Sequence, residues 1–483
     1  MATLQCLASC NEYYQCGVKF SDFSVKNSGM RSYKTKCEER GYLDLDEEKG
    51  GRKKPRILIA GGGIGGLVLA LAAKHRGFEV KVFEKDLSAV RGEGQHRGPI
   101  QLSSSALSVL EAIDKDVLKQ ILKAGCITGN RINGFADGLS GKWFLKFDLL
   151  TPAVRRGLPI TQVICRMELQ DILVNAVGHH IVSNKSKVVD FVEDCNKVTV
   201  ILENGTQYEG DILVGADGIR SEVRSKLFGS QEAKYSDYTC YSGLMNFVPP
   251  YIDSIGYRVF LGLNRYFVAS DVGKGKMQWY AFHKESPINT DPPGGEKERL
   301  LKLFCGWCND VITLISETPE HMILQRDIYD RDMIYSWGNG RVTLVGDAAH
   351  AMQPNLGQGG CMAIEDCYQL ILELDRVVHG GSDHCLLNQI ASALKRYEKK
   401  RMFRVSIVHA VSRMASKMIF FYQPYMEFGF GPLHNLALVP HPVIHVVRAF
   451  LQICLPQFMT WTITGHCSKE KSLDCLWCSP SRL

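Results

Sequence analysis

A buried apolar run, Arg56-Ile57-Leu58-Ile59-Ala60, leads directly into Gly61-Gly62-Gly63-Ile64-Gly65-Gly66. An apolar helical stretch from Leu67 to Arg76 follows and is closed by Gly77; Phe78 to Phe83 then alternates as a second strand and ends at Glu84. Strand, tight turn, helix and strand, with an acid about 20 residues beyond the glycines, is the setting in which GxGxxG holds a dinucleotide. The predicted class is therefore α/β, with a Rossmann-like domain near the start. Gly61 permits the turn, Gly63 lets a pyrophosphate approach the backbone, and Gly66 allows helix and strand to pack closely. Glu84 suits a ribose diol and repels a 2′-phosphate, so the site is read as holding the adenosine of FAD or NAD, not NADP.

A second segment, VTLVGDAAHAMQPNLGQGGCMAIEDCYQL, runs from Val342 to Leu370. A short strand ends in Gly346-Asp347, a turn follows at Pro354, and Gly357-Gln358-Gly359-Gly360 opens a long helix. The glycines let backbone N–H groups approach a flat ligand, and the helix N-terminus offers partial positive charge. Asp347 can accept hydrogen bonds from a polyol. A polyol beside a planar ring that turns anionic on reduction describes the ribityl-isoalloxazine half of a flavin; the plainer alternative is a strand-turn-helix corner with a capping Asp.

Between the two, Val198 to Leu202, the turn Glu203-Asn204-Gly205-Thr206 and Tyr208-Glu209 read as a hairpin. The strand Asp211 to Gly215 then leads into Ala216-Asp217-Gly218-Ile219-Arg220-Ser221-Glu222-Val223-Arg224, where Asp217 can also be read as a helix cap. The order GxGxxG, GADGIRSxVR, GDAAHAMQPxxGQGG resembles the single-component flavoprotein monooxygenases of the para-hydroxybenzoate hydroxylase-like fold. The longer strings RGEGQHRGPIQL, KFDLLTPAVRRGLPITQVICRMELQDIL, KMQWYAFHKE, RDIYDRD and MQPNLGQGGCMAIED resemble the plant zeaxanthin epoxidase family, from about Pro55 to about Pro456.

That resemblance implies that Gly61, Gly63 and Gly66 hold the FAD pyrophosphate and Glu84 the adenosine ribose. It implies that Arg97 and Arg166, the latter on a helix from Arg166 to Leu173, approach FAD from outside the glycine loop. Asp217 then lies in a motif associated with the pyrophosphate and with the reduced nicotinamide donor. Asp347 binds ribityl hydroxyls, while Pro354, Gly357, Gln358 and Gly359 line the isoalloxazine. The implied activity is epoxidation of a carotenoid, zeaxanthin to antheraxanthin to violaxanthin, through a flavin hydroperoxide, with NAD(P)H as donor, directly or through ferredoxin. The alternatives are hydroxylation or epoxidation of another terpenoid or phenolic metabolite, and a flavoprotein that binds without turnover. Only one dinucleotide fingerprint is present, so NAD(P)H is expected to dock transiently at the flavin. Epoxidising an electron-rich alkene needs no general base, whereas phenol hydroxylation benefits from one. Whether His283 faces the ring stays open, and no catalytic side chain is nominated.

The expected organisation is a transit peptide and linker at 1–54, a FAD-binding domain in two parts (55–235 and 335–390), and an interleaved β-sheet substrate domain at 236–334. A C-terminal helical segment at 391–465 and a tail at 466–483 complete it. Tyr241 to Leu244, Tyr257 to Leu261 and Met277 to Phe282 read as aromatic-rich strands of the substrate sheet. The 483 residues, 45% hydrophobic with no 18-residue uncharged apolar run, fit a globular chain without a transmembrane span. A net charge of +6 is too modest to imply nucleic acid.

The first 36 residues carry Lys19, Lys26, Arg31, Lys34 and Lys36 against Glu12 and Asp22, compatible with a chloroplast transit peptide or a cytosolic extension. From 391 to 420, Lys395, Arg396, Lys399, Lys400, Arg401, Arg404, Arg413 and Lys417 face Glu398 alone. Two readings follow: a helix for an anionic thylakoid or envelope surface, or a helix with its apolar face on the FAD domain. The 17 cysteines are odd in number and scattered, which argues against a disulfide framework. Cys305 and Cys308, in an expected helix, and Cys475 and Cys478, in the tail, have CxxC spacing without the context of a zinc site, so no metal is expected. Plant members of the family continue into a forkhead-associated domain, for which this sequence is expected to have no room. That leaves the substrate more open than the chemistry.

Overall fold

The computed structural model describes residues 54–90, 98–246, 249–250, 254–286, 295–379, 386–420, 422, 446 and 449–465. Residues 1–53, Arg97, Cys475, Cys478 and the tail from 466 lie outside them.

The run Arg56–Ala60 is an interior strand of a six-stranded sheet. Its order is Gly338–Asn339, Val342–Leu344, Ile212–Gly215, Arg56–Ala60, Glu79–Phe83, Val182–Ser183. All neighbours are parallel except the first pair. A parallel sheet is covered on both faces, which is why Ile57, Leu58 and Ile59 are all buried instead of alternating with polar residues. The helix Ile64–His75 follows the glycine loop, and Gly65 on it faces Ala363 of the long helix Gly359–His379. The predicted hairpin is present: Val198–Leu202 pairs antiparallel with Gln207–Gly210, and Gly205 turns it at a φ of 82°.

A second, seven-stranded sheet has the order Ile323–Asp330, Lys234–Met245, Met277–Lys284, Arg265–Asp271, Ile255–Gly262, Ile132–Asp137, Trp143–Phe147. Its last two strands come from within 55–235, the segment expected to belong wholly to the first domain. Ile132–Asp137 pairs in parallel with Ile255–Gly262, Phe135 opposite Val259, and so covers what would be an exposed edge.

The period of two divides this sheet's side chains. Tyr241, Phe267, Trp279 and Ala281 form one face and pack on the helices Glu296–Leu303 and Asn309–Glu317 through Leu300, Val311, Leu314 and Ile315. The other face presents Tyr238, Cys240, Val259, Leu261, Tyr266, Val268 and Phe282 to Leu356, to Ala415, Ile419 and Phe420, and to Phe450, Leu451 and Leu455. His283 stacks on Tyr241 at 5.6 Å and so belongs to the first face, away from Leu356 and its loop. Cys305 and Cys308 are not inside a helix; Cys305 lies in the turn between the two covering helices, and Cys308 is the N-cap of the second.

The basic helix Leu386–Phe420 joins the two halves. Ile390, Ala393, Leu394, Tyr397, Val405 and Val408 belong to the core of the dinucleotide-type domain, and the last turns lie on the second sheet. Its cations largely have acids of their own. Lys395 pairs with Glu398, Arg396 and Lys400 with Glu373, Arg401 and Arg404 with Glu365, and Arg413 with Asp330 and Asp332. The geometry therefore matches the packed reading of this helix. Among the described residues no helix is long and apolar enough to cross a membrane.

Candidate flavin-nucleotide site

The three glycines singled out in the loop differ physically. Gly61 has a φ of 105°, and a Cβ there would overlap the Ala216 carbonyl. A Cβ on Gly66 would overlap the Gly61 carbonyl oxygen. A Cβ on Gly63 would meet nothing within 4 Å, so this position borders open space. Gly66 thus serves close packing, while Gly63 leaves its side of the loop open. Glu84 closes the loop: its Oε2 accepts from Gly62 N at 2.6 Å and its Oε1 from Asp86 N at 2.8 Å. Each carboxylate oxygen retains a lone pair for a hydroxyl.

Asp217 does cap a helix. Its Oδ2 accepts from Glu222 N (2.8 Å) and Val223 N (3.2 Å), alongside Ser221 Oγ, which accepts from Arg224 N. Its Oδ1 is buried without a partner, and burial pushes the carboxyl pKa up. An orphaned acceptor of this kind costs free energy unless a ligand donates to it.

Gly346, at a φ of 58°, lets the chain turn from Val342–Leu344 into the single-turn helix Asp347–His350. Asp347 is exposed, and its Oδ1 lies 3.8 Å from where a Cβ on Gly359 would stand, so it faces the start of the long helix. Pro354 is exposed, Gly357 is left-handed at a φ of 63°, and Gln358 is buried with its Oε1 unpartnered. Asn355 ties this loop to the second sheet: its Oδ1 accepts from Tyr238 OH (2.9 Å) and its Nδ2 donates to Tyr266 OH (3.1 Å). Arg166 begins the helix Arg166–Val177, is exposed, and acts electrostatically on Tyr280.

A cavity of about 1270 Å³ adjoins the site. It is lined by Asp86, two residues past Glu84, by Ile219 and Arg220, just past Asp217, and by Gln325 and Arg326 of the second sheet.

Two features escaped the sequence reading. Asn355 carries no signal beyond its place in a turn. A buried ionic cluster lies beneath Gly346 and joins Glu365, Asp366, His350, Arg401 and Arg404. His350 and Asp366 both stand in the quoted segment, but nothing in its pattern brings them together.

Open space at Gly63, orphaned acceptors on Asp217 and Gln358, and a helix N-terminus facing an exposed Asp347 fit a long flavin nucleotide. Fold and site together define a dinucleotide-binding α/β flavoprotein.

The FAD binding domain family matches residues 54–261 and 310–405, and the chain belongs to it. Among curated relatives, the chloroplastic zeaxanthin epoxidase of Oryza sativa subsp. japonica is 57% identical over 419 residues, which are 86% of this chain and 64% of that protein. That of Solanum lycopersicum is 58% identical over 420 residues, 86% of this chain and 63% of that protein. The chain thus spans a little under two thirds of the length of these relatives. Among solved structures, Klebsiella pneumoniae HpxO complexed with FAD and uric acid superposes with a TM-score of 0.70 at 24% identity, covering 84% of this chain and 96% of that one. A salicylate hydroxylase substrate complex gives 0.66 at 20%, covering 86% and 99%. These likenesses establish the fold.

Proposed function

We propose that the chain is an FAD-dependent monooxygenase that uses NAD(P)H and O2 to epoxidise the ring double bonds of a xanthophyll, zeaxanthin first and antheraxanthin second. The relatives' shared name supports the substrate class, and one structural observation carries the chemistry. The sheet face that meets Leu356 beside the flavin loop offers Tyr238, Cys240, Tyr257, Tyr266 and Tyr280 as its titratable phenols and thiol, and burial pushes every one of them up. All five stay protonated at neutral pH. His283, the histidine considered as a base, faces the other way. Among the described residues, this face offers no ionised phenol or thiol to deprotonate a phenol, and an alkene needs none.

When bound, FAD supplies hydride acceptance and transfer of one oxygen atom from O2. In this reading Gly61, Gly63 and Gly66 admit the pyrophosphate, while Glu84 takes the adenosine ribose and Asp217 Oδ1 a donor on the nucleotide. Asp347 takes the ribityl hydroxyls; Pro354, Gly357, Gln358 and Gly359 line the ring, and the N-terminus of Gly359–His379 favours negative charge there. Arg166 approaches from outside the loop. The aromatic wall excludes water from the reacting centre. The cavity with Arg220 and Arg326 suits the phosphates of NAD(P)H, for which the described residues form no second dinucleotide-type sheet.

The chloroplast belongs to the same proposal, from the relatives' names. A thylakoid or envelope surface rests on the lipid solubility of the substrate, because the paired cations of Leu386–Phe420 lend it little.

The test is substrate choice together with a pH profile. Zeaxanthin should be epoxidised and a soluble phenol left unhydroxylated. The turnover number with zeaxanthin should vary less than about twofold between about pH 6 and about pH 9, since burial pushes the five described phenols and thiol of this face above that range. A sigmoidal loss of turnover toward low pH would reveal a base on the reacting side and contradict the reading.

A further inference from the structure

The turn that presents Asp347 is gripped from below by one carboxylate. Gly346 N donates to Asp366 Oδ2 at 3.1 Å, and His350 Nε2 lies 2.5 Å from the same oxygen. Gly346 and His350 bracket Asp347, and Ala349 N and His350 N both donate to Gly346 O at 2.9 Å. Asp366 therefore holds the first and last residues of a turn whose exposed member is Asp347. Its other oxygen, Oδ1, accepts from Arg401 Nε at 2.7 Å, which fixes the carboxylate's orientation. Asp366 and His350 are fully inside the protein, so neither reaches a ligand directly.

A Cβ on Gly346 would stand 3.0 Å from Ala363 Cβ, so the turn and the long helix are packed closely, and a small rotation of the turn moves the Asp347 carboxylate relative to Gly359. Strong hydrogen bonds to one ionised group are how such a turn is held without a ligand.

We propose that Asp366 is a positioning residue for FAD: by holding Gly346 and His350 it fixes the Asp347 carboxylate where the ribityl hydroxyls require it. The inference rests on the assignment of Asp347 to the ribityl chain.

Asp366→Asn tests it with little change of shape. Arg401 has only donors, so the amide oxygen turns to it, and the amide NH2 then faces the Gly346 N–H, donor against donor. The measurement is FAD affinity of flavin-stripped protein, by quenching of flavin fluorescence, in a cycle with Asp347→Ala, alongside the thermal midpoint of each apoprotein. Asp366→Asn should weaken FAD about tenfold in the native background and less than about twofold once Asp347 is alanine, because coupled residues are non-additive. A merely structural role would lower the thermal midpoint and weaken FAD equally in both backgrounds, which would overturn the proposal. So would unchanged affinity in Asp366→Asn. If Asp347→Ala alone binds FAD as tightly as the native protein, the assignment of Asp347 fails, and the inference with it. Should Asp366→Asn not fold, His350→Gln enters the same cycle with the same expected pattern, and additivity there counts against the proposal.

Discussion

Alanine at Gly63 and alanine at Gly66 are expected to fail in opposite ways. At Gly63 the new methyl meets no protein atom within 4 Å, so the apoprotein should keep its thermal midpoint. In the proposed reading the methyl instead occupies the open space assigned to the pyrophosphate. Overpacking of about 1–3 kcal/mol corresponds to roughly a tenfold to hundredfold loss of FAD affinity. At Gly66 the methyl overlaps the Gly61 carbonyl oxygen inside the loop, and helix and strand must separate. That should cost about 3 kcal/mol or more in the apoprotein itself, with FAD binding lost as a consequence. Denaturation of both apoproteins, with flavin titration of each, separates the two. Equal destabilisation by the two substitutions would contradict the distinction between an approach glycine and a packing glycine.

Arg401→Met should be the most damaging single change outside the loop. Arg401 is 4% exposed and donates to Asp366 Oδ1 and Glu365 Oε2 at 2.7 and 2.8 Å, both acids being fully buried. Removing it leaves Asp366 with His350 and Glu365 with Arg404, and breaking a buried pair from one side costs about 3–5 kcal/mol. The loss depends on pH in a definite direction. Burial alone would raise the Asp366 pKa, but His350 and Arg401 together bring it below the ordinary carboxylate value. A depressed folded-state pKa contributes stability that is present above the unfolded value, about 3.9, and is lost as pH falls through the folded one. The gap between native and Arg401→Met proteins should therefore be full at neutral pH and narrow below about pH 4. Urea denaturation across that range checks it, and a gap that widened in acid would refute the assigned charge state.

The glycine loop was legible in the sequence because its requirements are local: positive φ, open approach and close packing each fall on a named glycine within six residues. Asp217 shows how far such reading reaches. Its capping role was visible in the pattern and a ligand role came only from the family resemblance; the structure gives one oxygen to the cap and leaves the other without a partner. The fate of Ile132–Asp137 was not legible, because strand pairing with Ile255–Gly262 is set across more than 100 residues. Nor was the placement of the basic helix's charges. Its sequence shows eight cations beside one acid, while the acids that pair with them, Glu365, Asp366, Glu373 and Asp330, come from elements that only the fold brings near. Period-two alternation likewise separates His283 from Phe282 but does not say which face meets the flavin loop.

The most direct test of the epoxidase reading uses the FAD-loaded chain with zeaxanthin in plastid-type lipid, oxygen, and NAD(P)H with a ferredoxin relay, followed by pigment analysis. Sequential addition of one and then two oxygen atoms, giving antheraxanthin and then violaxanthin, is the result it predicts. Oxidation of the donor with the zeaxanthin left untouched would show a working flavin and contradict the substrate.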